Sequence, residues 1–257
     1  MVKSLAFVAA AVACAVLAVS GSWAQAVSGD SGPQASAKAE PQAAAASAET
    51  AQPRPAAAGQ RFTEEFRGGR LSALWEPLQA VGGSFKRFAR LDPGRLTVSV
   101  PEGNYWGKTG IMSREALFTV SEAMAKNPLT LDFAFGDDRS TGFCIALSAV
   151  KDADVWRQPN VWLHWAKKSD EEGVFYFANT QDREEDYGAA KTEAKPARMV
   201  TLSVLPETVR VDTSQGRHLT GTFSWLKPGT RVYLYVFSHP AREGGSADMV
   251  LHSIRMR

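Results

Sequence analysis

Phe62-Thr-Glu-Glu-Phe66, Leu71-Ser-Ala-Leu-Trp75, Leu96-Thr-Val-Ser-Val100 and Asn104-Tyr-Trp-Gly-Lys-Thr-Gly-Ile-Met-Ser113 follow one another in that order. They read as a strand, an aromatic anchor, an alternating strand and a loop of Gly and Trp. In the third stretch Leu96, Val98 and Val100 fall on every second position, which sends one face into a core and the other toward water. Downstream the same period returns, with Leu129, Leu131, Phe133 and Phe135 alternating with Thr130, Asp132 and Ala134. Further strands are expected at residues 143–147, 161–165, 174–177, 200–204, 209–211, 222–225, 232–236 and 250–254. Turn chemistry separates them at Asp92-Pro-Gly94, Pro101-Glu-Gly103, Lys227-Pro-Gly229 and Glu243-Gly-Gly245. Within residues 113–126, Glu115, Ala116, Glu122, Ala123, Met124 and Ala125 could hold a short helix. About a dozen short strands with no alternating helices exclude a βαβ architecture and predict an all-β protein. Its expected form is two packed antiparallel sheets in a jelly-roll sandwich.

Outside this domain the composition changes. Met1-Val-Lys-Ser-Leu5, an apolar run to Val19 and Ser22-Trp-Ala24-Gln-Ala26 predict a signal peptide over residues 1–26, cleaved after Ala24 or Ala26. Cys14 follows Ala-Val-Ala, which lacks the leucine expected of a lipid-attachment site, so the protein is expected to be exported to the periplasm or beyond without a lipid anchor. Residues 27–60 are almost entirely Ala, Ser, Gln, Pro, Gly and Glu and cannot bury enough surface to offset chain entropy. They predict a disordered linker before one domain at 61–257. After residue 26 no stretch approaches the ~18 to 20 apolar residues of a membrane span. A net charge of +2, with both signs interspersed, excludes the basic stripe of a nucleic-acid binder. Removal of residues 1–26 leaves Cys144 as the one cysteine, so no intrachain disulfide can form and the core must supply stability.

The opening order resembles that of concanavalin A-like lectin/glucanase sandwiches. In those proteins an F-x-(D/E)-x-F strand and a Trp shortly after it precede a segment running to G-I-x-S. Here the counterparts are Phe62, Glu64 and Phe66, then Trp75, then Gly110-Ile-Met-Ser113. The resemblance implies a fold that either binds or cuts glycans. Laminarinase-type members carry a Glu-x-Asp-x-x-Glu or Glu-x-Asp-x-Glu strand that aims three carboxylates into one cleft, and no such strand exists in this sequence. The nearest match is Asp182-Arg-Glu-Glu-Asp186, whose flanks lack the β-branched residues of a core strand and read as a solvated loop. The four histidines, His164, His218, His239 and His252, show no metal-ligand spacing, so neither a cofactor nor a metal is expected and nothing supports a structural calcium ion. Cys144, inside Gly142-Phe-Cys-Ile-Ala-Leu147, reads as a small buried hydrophobe.

Aromatic residues give the strongest site signal. On the strand at 161–165 one face is Val161, Leu163 and Trp165 and the other is Trp162 and His164; at 232–237 the faces are Val232/Leu234/Val236 and Tyr233/Tyr235/Phe237. A sandwich needs one inner face per sheet, which leaves the polar-aromatic set for an outer or concave surface. Flat rings there suit stacking on sugars, with polar tips for hydroxyl groups. The same rings would equally fill cross-strand pairs or lie beneath a loop. The candidate contacts are Trp106, Trp162, His164, Tyr176, Tyr233 and Tyr235, with Asn104, Lys108 and Arg157 as polar partners. The expected function is a non-catalytic carbohydrate-binding module whose partner is a glycan or cell-envelope polysaccharide. The alternatives are a saccharide hydrolase of the 3-keto-disaccharide hydrolase-like or glucanase type, drawing on Asp132, Glu184 or Asp186, and a structural or adhesive envelope protein.

Overall fold

The structure, a computed structural model, describes residues 61–80, 84–103, 108–136, 140–152, 159–179, 186–193, 195–240 and 245–257. The expected signal peptide, Cys14 and the linker lie outside them. Among the described residues, backbone pairing assembles two antiparallel sheets. The first runs β14 (His218–Thr222), β13 (Thr208–Thr213), β12 (Met199–Leu205), β7 (Leu129–Phe135), β16 (Ala247–Met256), β4 (Arg95–Val100) and β3 (Ala89–Asp92), with β1 (Phe62–Glu64) pairing the end of β16. The second runs β11 (Asp186–Glu193), β10 (Glu172–Asn179), β9 (Asn160–Lys167), β8 (Gly142–Ser148), β15 (Arg231–Ser238), β5 (Lys108–Ser113) and β2 (Trp75–Ala80), with β6 (Phe118–Thr119) pairing β15. Strands β8 to β11 follow one another in the second sheet and β12 to β14 in the first, and the last two strands, β15 and β16, each enter the interior of one sheet. The result is the expected jelly-roll sandwich.

The core lies between the sheets. Inward residues of β7 and β12, such as Leu131, Phe133, Phe135, Val200, Leu202 and Val204, meet Phe143, Ile145, Leu147, Leu163, Trp165 and Leu234 of the second sheet. Phe135 and Phe143 stack across the gap with centroids 3.8 Å apart, and Phe143 in turn lies 5.9 Å from Trp165. The opening stretch contributes as anticipated: Trp75 is 1% exposed, with the Phe62 ring edge-on to it at 5.9 Å. Glu64 is buried and accepts the Phe66 N–H at 2.9 Å, which ties down a left-handed φ of 51° uncommon for a bulky residue. Gly110 is required by close approach, because an added Cβ would stand 2.1 Å from the Val236 carbonyl oxygen, a backbone atom that cannot rotate away.

Three local expectations are corrected and one element is added. Residues 113–126 form strand β6 and a 3-10 turn at Glu122–Ala125, because Phe118 and Val120 are buried against β15 and its neighbours in an extended path. The strand expected at 222–225 ends at Thr222, where Phe223 and Leu226 fold into a turn closed by the Leu226 N–H on the Phe223 carbonyl at 2.9 Å. Of the expected loop at 182–186, residues 182–185 lie outside the described residues, while Asp186 opens strand β11, an edge position whose register with β10 is set by backbone bonds rather than by β-branched side chains. A short helix at Phe85–Phe88, which the sequence reading lacks, packs beside β2 and β4.

Candidate functional site

Directly paired residues of neighbouring strands share a face of a sheet. On the second sheet one outward row runs Glu76, Met112, Tyr235, Ala146, Trp162, and the next runs Leu78, Gly110, Phe237, Cys144, His164, Tyr176. A third holds Tyr233, Ser148 and Asn160. Five of these, Leu78, Cys144, Ala146, Tyr235 and Phe237, form a second apolar cluster outside the core, with Met112, Trp162 and Tyr233 packed on it. The outward residues of central strand β8 are all small: Gly142, Cys144, Ala146 and Ser148. Large rings on β9 and β15 therefore flank a low strip two strand spacings wide, or roughly 10 Å.

His164 is the polar centre of this face. It is 5% exposed, and since a carbonyl only accepts, its Nε2 carries the hydrogen donated to the His239 carbonyl at 3.2 Å. The Tyr176 ring is nearly parallel at 6.0 Å, His239 is edge-on at 4.5 Å and Trp162 lies 6.2 Å away. Burial lowers the His164 pKa to about 4, with the bond to the His239 carbonyl opposing part of that. His239 is pushed well below its ordinary value by burial first, then by the charges of His164 and Lys108. Both imidazoles are thus neutral near pH 7.

Tyr235 has 0% exposure, and its hydroxyl donates to the Val150 carbonyl at 3.1 Å while accepting the Asp152 N–H at 3.0 Å. Burial above all drives its pKa up to about 12, with the Asp152, Tyr233 and Glu76 charges adding and the Asp152 N–H bond opposing. Trp162, Tyr176 and Tyr233 are partly exposed, whereas Lys108 is buried at 3%. Of the residues singled out from sequence, the structure brings Trp162, His164, Tyr176, Tyr233, Tyr235 and Lys108 onto this sheet's outward side. Asn104, Trp106 and Arg157 lie outside the described residues, as do Asp182 and Glu184 and the Asp186 side chain.

Sequence reasoning missed His239. It continues the alternation Tyr233, Tyr235, Phe237 by one more step, so extending that pattern past the strand's apolar residues would have found it. Asp132 is a correction in the other direction. It lies in the first sheet, bonded by Arg257 Nε at 2.7 Å and Thr201 Oγ1 at 2.8 Å. Burial alone would raise its pKa, but those two bonds and the Arg257 and Arg255 charges outweigh burial and hold the carboxyl below its usual range. It is an ion-pair anchor for the C-terminus, on the other sheet from the aromatic face. Among the described residues no group of three His, Cys, Asp or Glu side chains could hold a metal ion.

Cys144 sits on the strip between Phe237 and His164 with no exposure, and burial pushes its thiol well above the ordinary range, the Lys108 charge offsetting only part. Native protein is therefore expected to leave Cys144 unlabelled by a maleimide for hours, with full labelling only after denaturation. Peptide mapping reads this directly; rapid native modification of the Cys144 peptide would show that the face opens.

No family model matches the sequence, and no curated protein matches it. Among solved structures, SCLam, a non-specific endo-β-1,3(4)-glucanase from family GH16, aligns with a TM-score of 0.52 at 9% identity, covering 79% of this chain and 93% of that one. A LamA variant from Z. galactanivorans in complex with laminaritriose and laminaritetraose aligns at 0.50 and 11% identity, covering 78% of this chain and 99% of that one. The protein thus has the fold of the concanavalin A-like lectin/glucanase jelly rolls, as its opening stretch implies. At these identities the likeness establishes fold alone.

Proposed function

We propose that the outward face carrying Trp162, Tyr176 and Tyr233 binds a glycan without cleaving it. The observation that carries this reading is the set of partly exposed rings standing on a buried floor of His164, Tyr235, Phe237 and small β8 residues. Rings held from below cannot collapse onto one another, and flat surfaces with polar tips are what a sugar ring and its hydroxyls require. The fold likeness supports it, since the aligned LamA structure holds laminaritriose and laminaritetraose. The partner would be a free glycan or cell-envelope polysaccharide met by an exported protein, in line with the predicted signal peptide.

Hydrolysis is the second reading, favoured by the likeness to a glucanase. Its chemistry needs two carboxyl groups about 5 to 9.5 Å apart across the scissile bond. Among the described side chains of this face, the acids stand at the rim: Glu76 on the edge strand, 2.9 Å from Lys151, and Glu172 at the end of β10, 3.8 Å from Lys168. Binding without cleavage is the reading this arrangement favours.

A glycan array followed by calorimetry on the best ligand tests the proposal. Trp162→Ala is expected to weaken binding by about 1 to 3 kcal/mol, the scale of burying one aromatic side chain, while the melting temperature changes little because the inner face is untouched. Unchanged affinity would remove the aromatic-face assignment. Reducing-end release by wild-type protein that disappears in Glu184→Gln or Asp186→Asn would move the protein to the hydrolase reading.

A further inference from the structure

Strands β8 and β9 are antiparallel neighbours, and such pairs are ordinarily joined by two to five residues. Here residues 149–159 join them, and the described start of that connection leads away from β9. In the sheet order β9, β8, β15, β5, β2, the contacts of residues 149–152 fall on the far side of β8. Tyr235 of β15 holds Val150 and Asp152 by its hydroxyl. Lys151 Nζ reaches Glu76 of β2 at 2.9 Å and donates to the Arg114 carbonyl just after β5 at 2.7 Å. Glu76 is three strands from β8, roughly 14 Å away at ordinary strand spacing. At the root of the connection Ser148 Oγ donates to the Pro159 carbonyl at 3.1 Å and accepts the Val150 N–H at 3.2 Å, closing its two ends together.

We infer that residues 149–152, the described start of this connection, are clamped over Tyr235 and toward Glu76 as a wall at one end of the aromatic face, and that Tyr235 is the positioning residue of the clamp. The inference rests on the glycan-binding reading for its functional consequence. Tyr235 itself is buried and touches no ligand. Its hydroxyl is placed so that two consecutive peptide groups, through the Val150 carbonyl and the Asp152 N–H, cannot leave the sheet without breaking two part-buried hydrogen bonds. A wall fixed over β15, β5 and β2 in this way leaves a sugar chain the β8 and β9 side of the sheet, where Trp162 stands. Ordering it before binding removes part of the cost that a free connection would incur on association.

The test uses the full chain and two variants, Tyr235→Phe and Glu76→Ala, each removing one arm of the clamp. Phe keeps the ring in the apolar cluster, so the melting temperature should stay within a few degrees. Lys151 is the reporter, because trypsin reaches it only when the local segment opens. Both variants should be cut after Lys151 at least about tenfold faster than wild type, and Tyr235→Phe should bind laminaritetraose about five- to tenfold more weakly, the consequence of two lost hydrogen bonds. An unchanged cleavage rate in both variants would overturn the clamp. Faster cleavage with unaltered laminaritetraose affinity would overturn the positioning role and leave the glycan reading standing. Failure of wild-type protein to bind laminaritetraose at all would instead overturn the glycan reading for this probe and, with it, the positioning role, whatever the protease shows.

Discussion

Phe143→Ala is expected to lower the melting temperature by roughly 6 to 20 °C, among the largest single-residue effects on stability in this protein. Phe143 is fully buried on the inner face of β8, stacked on Phe135 of the opposite sheet at 3.8 Å and lying against Trp165 of the next strand at 5.9 Å. Truncating it removes contacts to both sheets at once. The cavity left behind cannot be closed by one side chain, since Phe135 and Trp165 are themselves held by their own strands. Phe→Ala changes of this kind cost about 3 to 5 kcal/mol, and a domain of this size loses about 2 to 4 °C per kcal/mol. Scanning calorimetry of Phe143→Ala beside Tyr233→Ala separates core from face, the second variant being expected to shift by only a few degrees. A shift below about 2 °C for Phe143→Ala would mean that the two sheets do not share the core described above.

The second large effect is acid destabilisation above the carboxylate range. His164 is buried, and its folded-state pKa is about 4 against 6.5 for an ordinary imidazole, so the unfolded chain takes up a proton that the folded chain refuses. Stability from this group is complete above pH 6.5 and is lost as pH falls from 6.5 toward 4, below which it levels off. Between pH 7 and pH 5 the loss is about 2 kcal/mol for His164 alone. His239 adds to it with the same sign, because burial and the His164 and Lys108 charges depress it too. Asp132 acts in a different window: its folded pKa is held low, so its contribution is present at pH 5 and goes only as pH falls through the acid range. Urea unfolding at pH 7 and pH 5 measures the difference, and His164→Gln should remove most of the His164 share. Equal stability of the wild-type protein at the two pH values would show that these imidazoles are not kept neutral by the fold.

Much of the architecture is legible in the sequence. Alternation at 96–100, 129–135, 143–147, 161–165, 200–204 and 232–236 marks strands that the structure contains, because a period of two is a local property of the pleat. The failures share a cause. At 222–225 the residues Phe223 and Trp225 have β-forming side chains, yet tertiary contact draws Phe223 and Leu226 inward as a turn. At 186–193 the residues are poor strand formers, yet β10 offers a row of backbone partners that the chain fills. Propensity describes a residue's own preference, and in both places a distant neighbour outweighs it. The site divides in the same way. Tyr233 and Trp162 could be placed on outward faces from their spacing, but nothing local distinguishes the part-exposed Tyr233 from Tyr235 two residues on, which is sealed by the Val150 and Asp152 backbone.

By itself, then, the sequence determined that this chain is all-β, that its strands present one apolar and one polar-aromatic side, and that Cys144 sits among apolar neighbours. Each follows from composition and period, which are written in consecutive residues. Only the tertiary structure decided that β8, β9 and β15 lie side by side, that His164 meets His239 seventy-five residues away, and that Asp132 faces Arg257 on the other sheet. Those facts depend on which strands pair and in what register. That choice is made by the burial of many side chains at once, and no short window of sequence contains it.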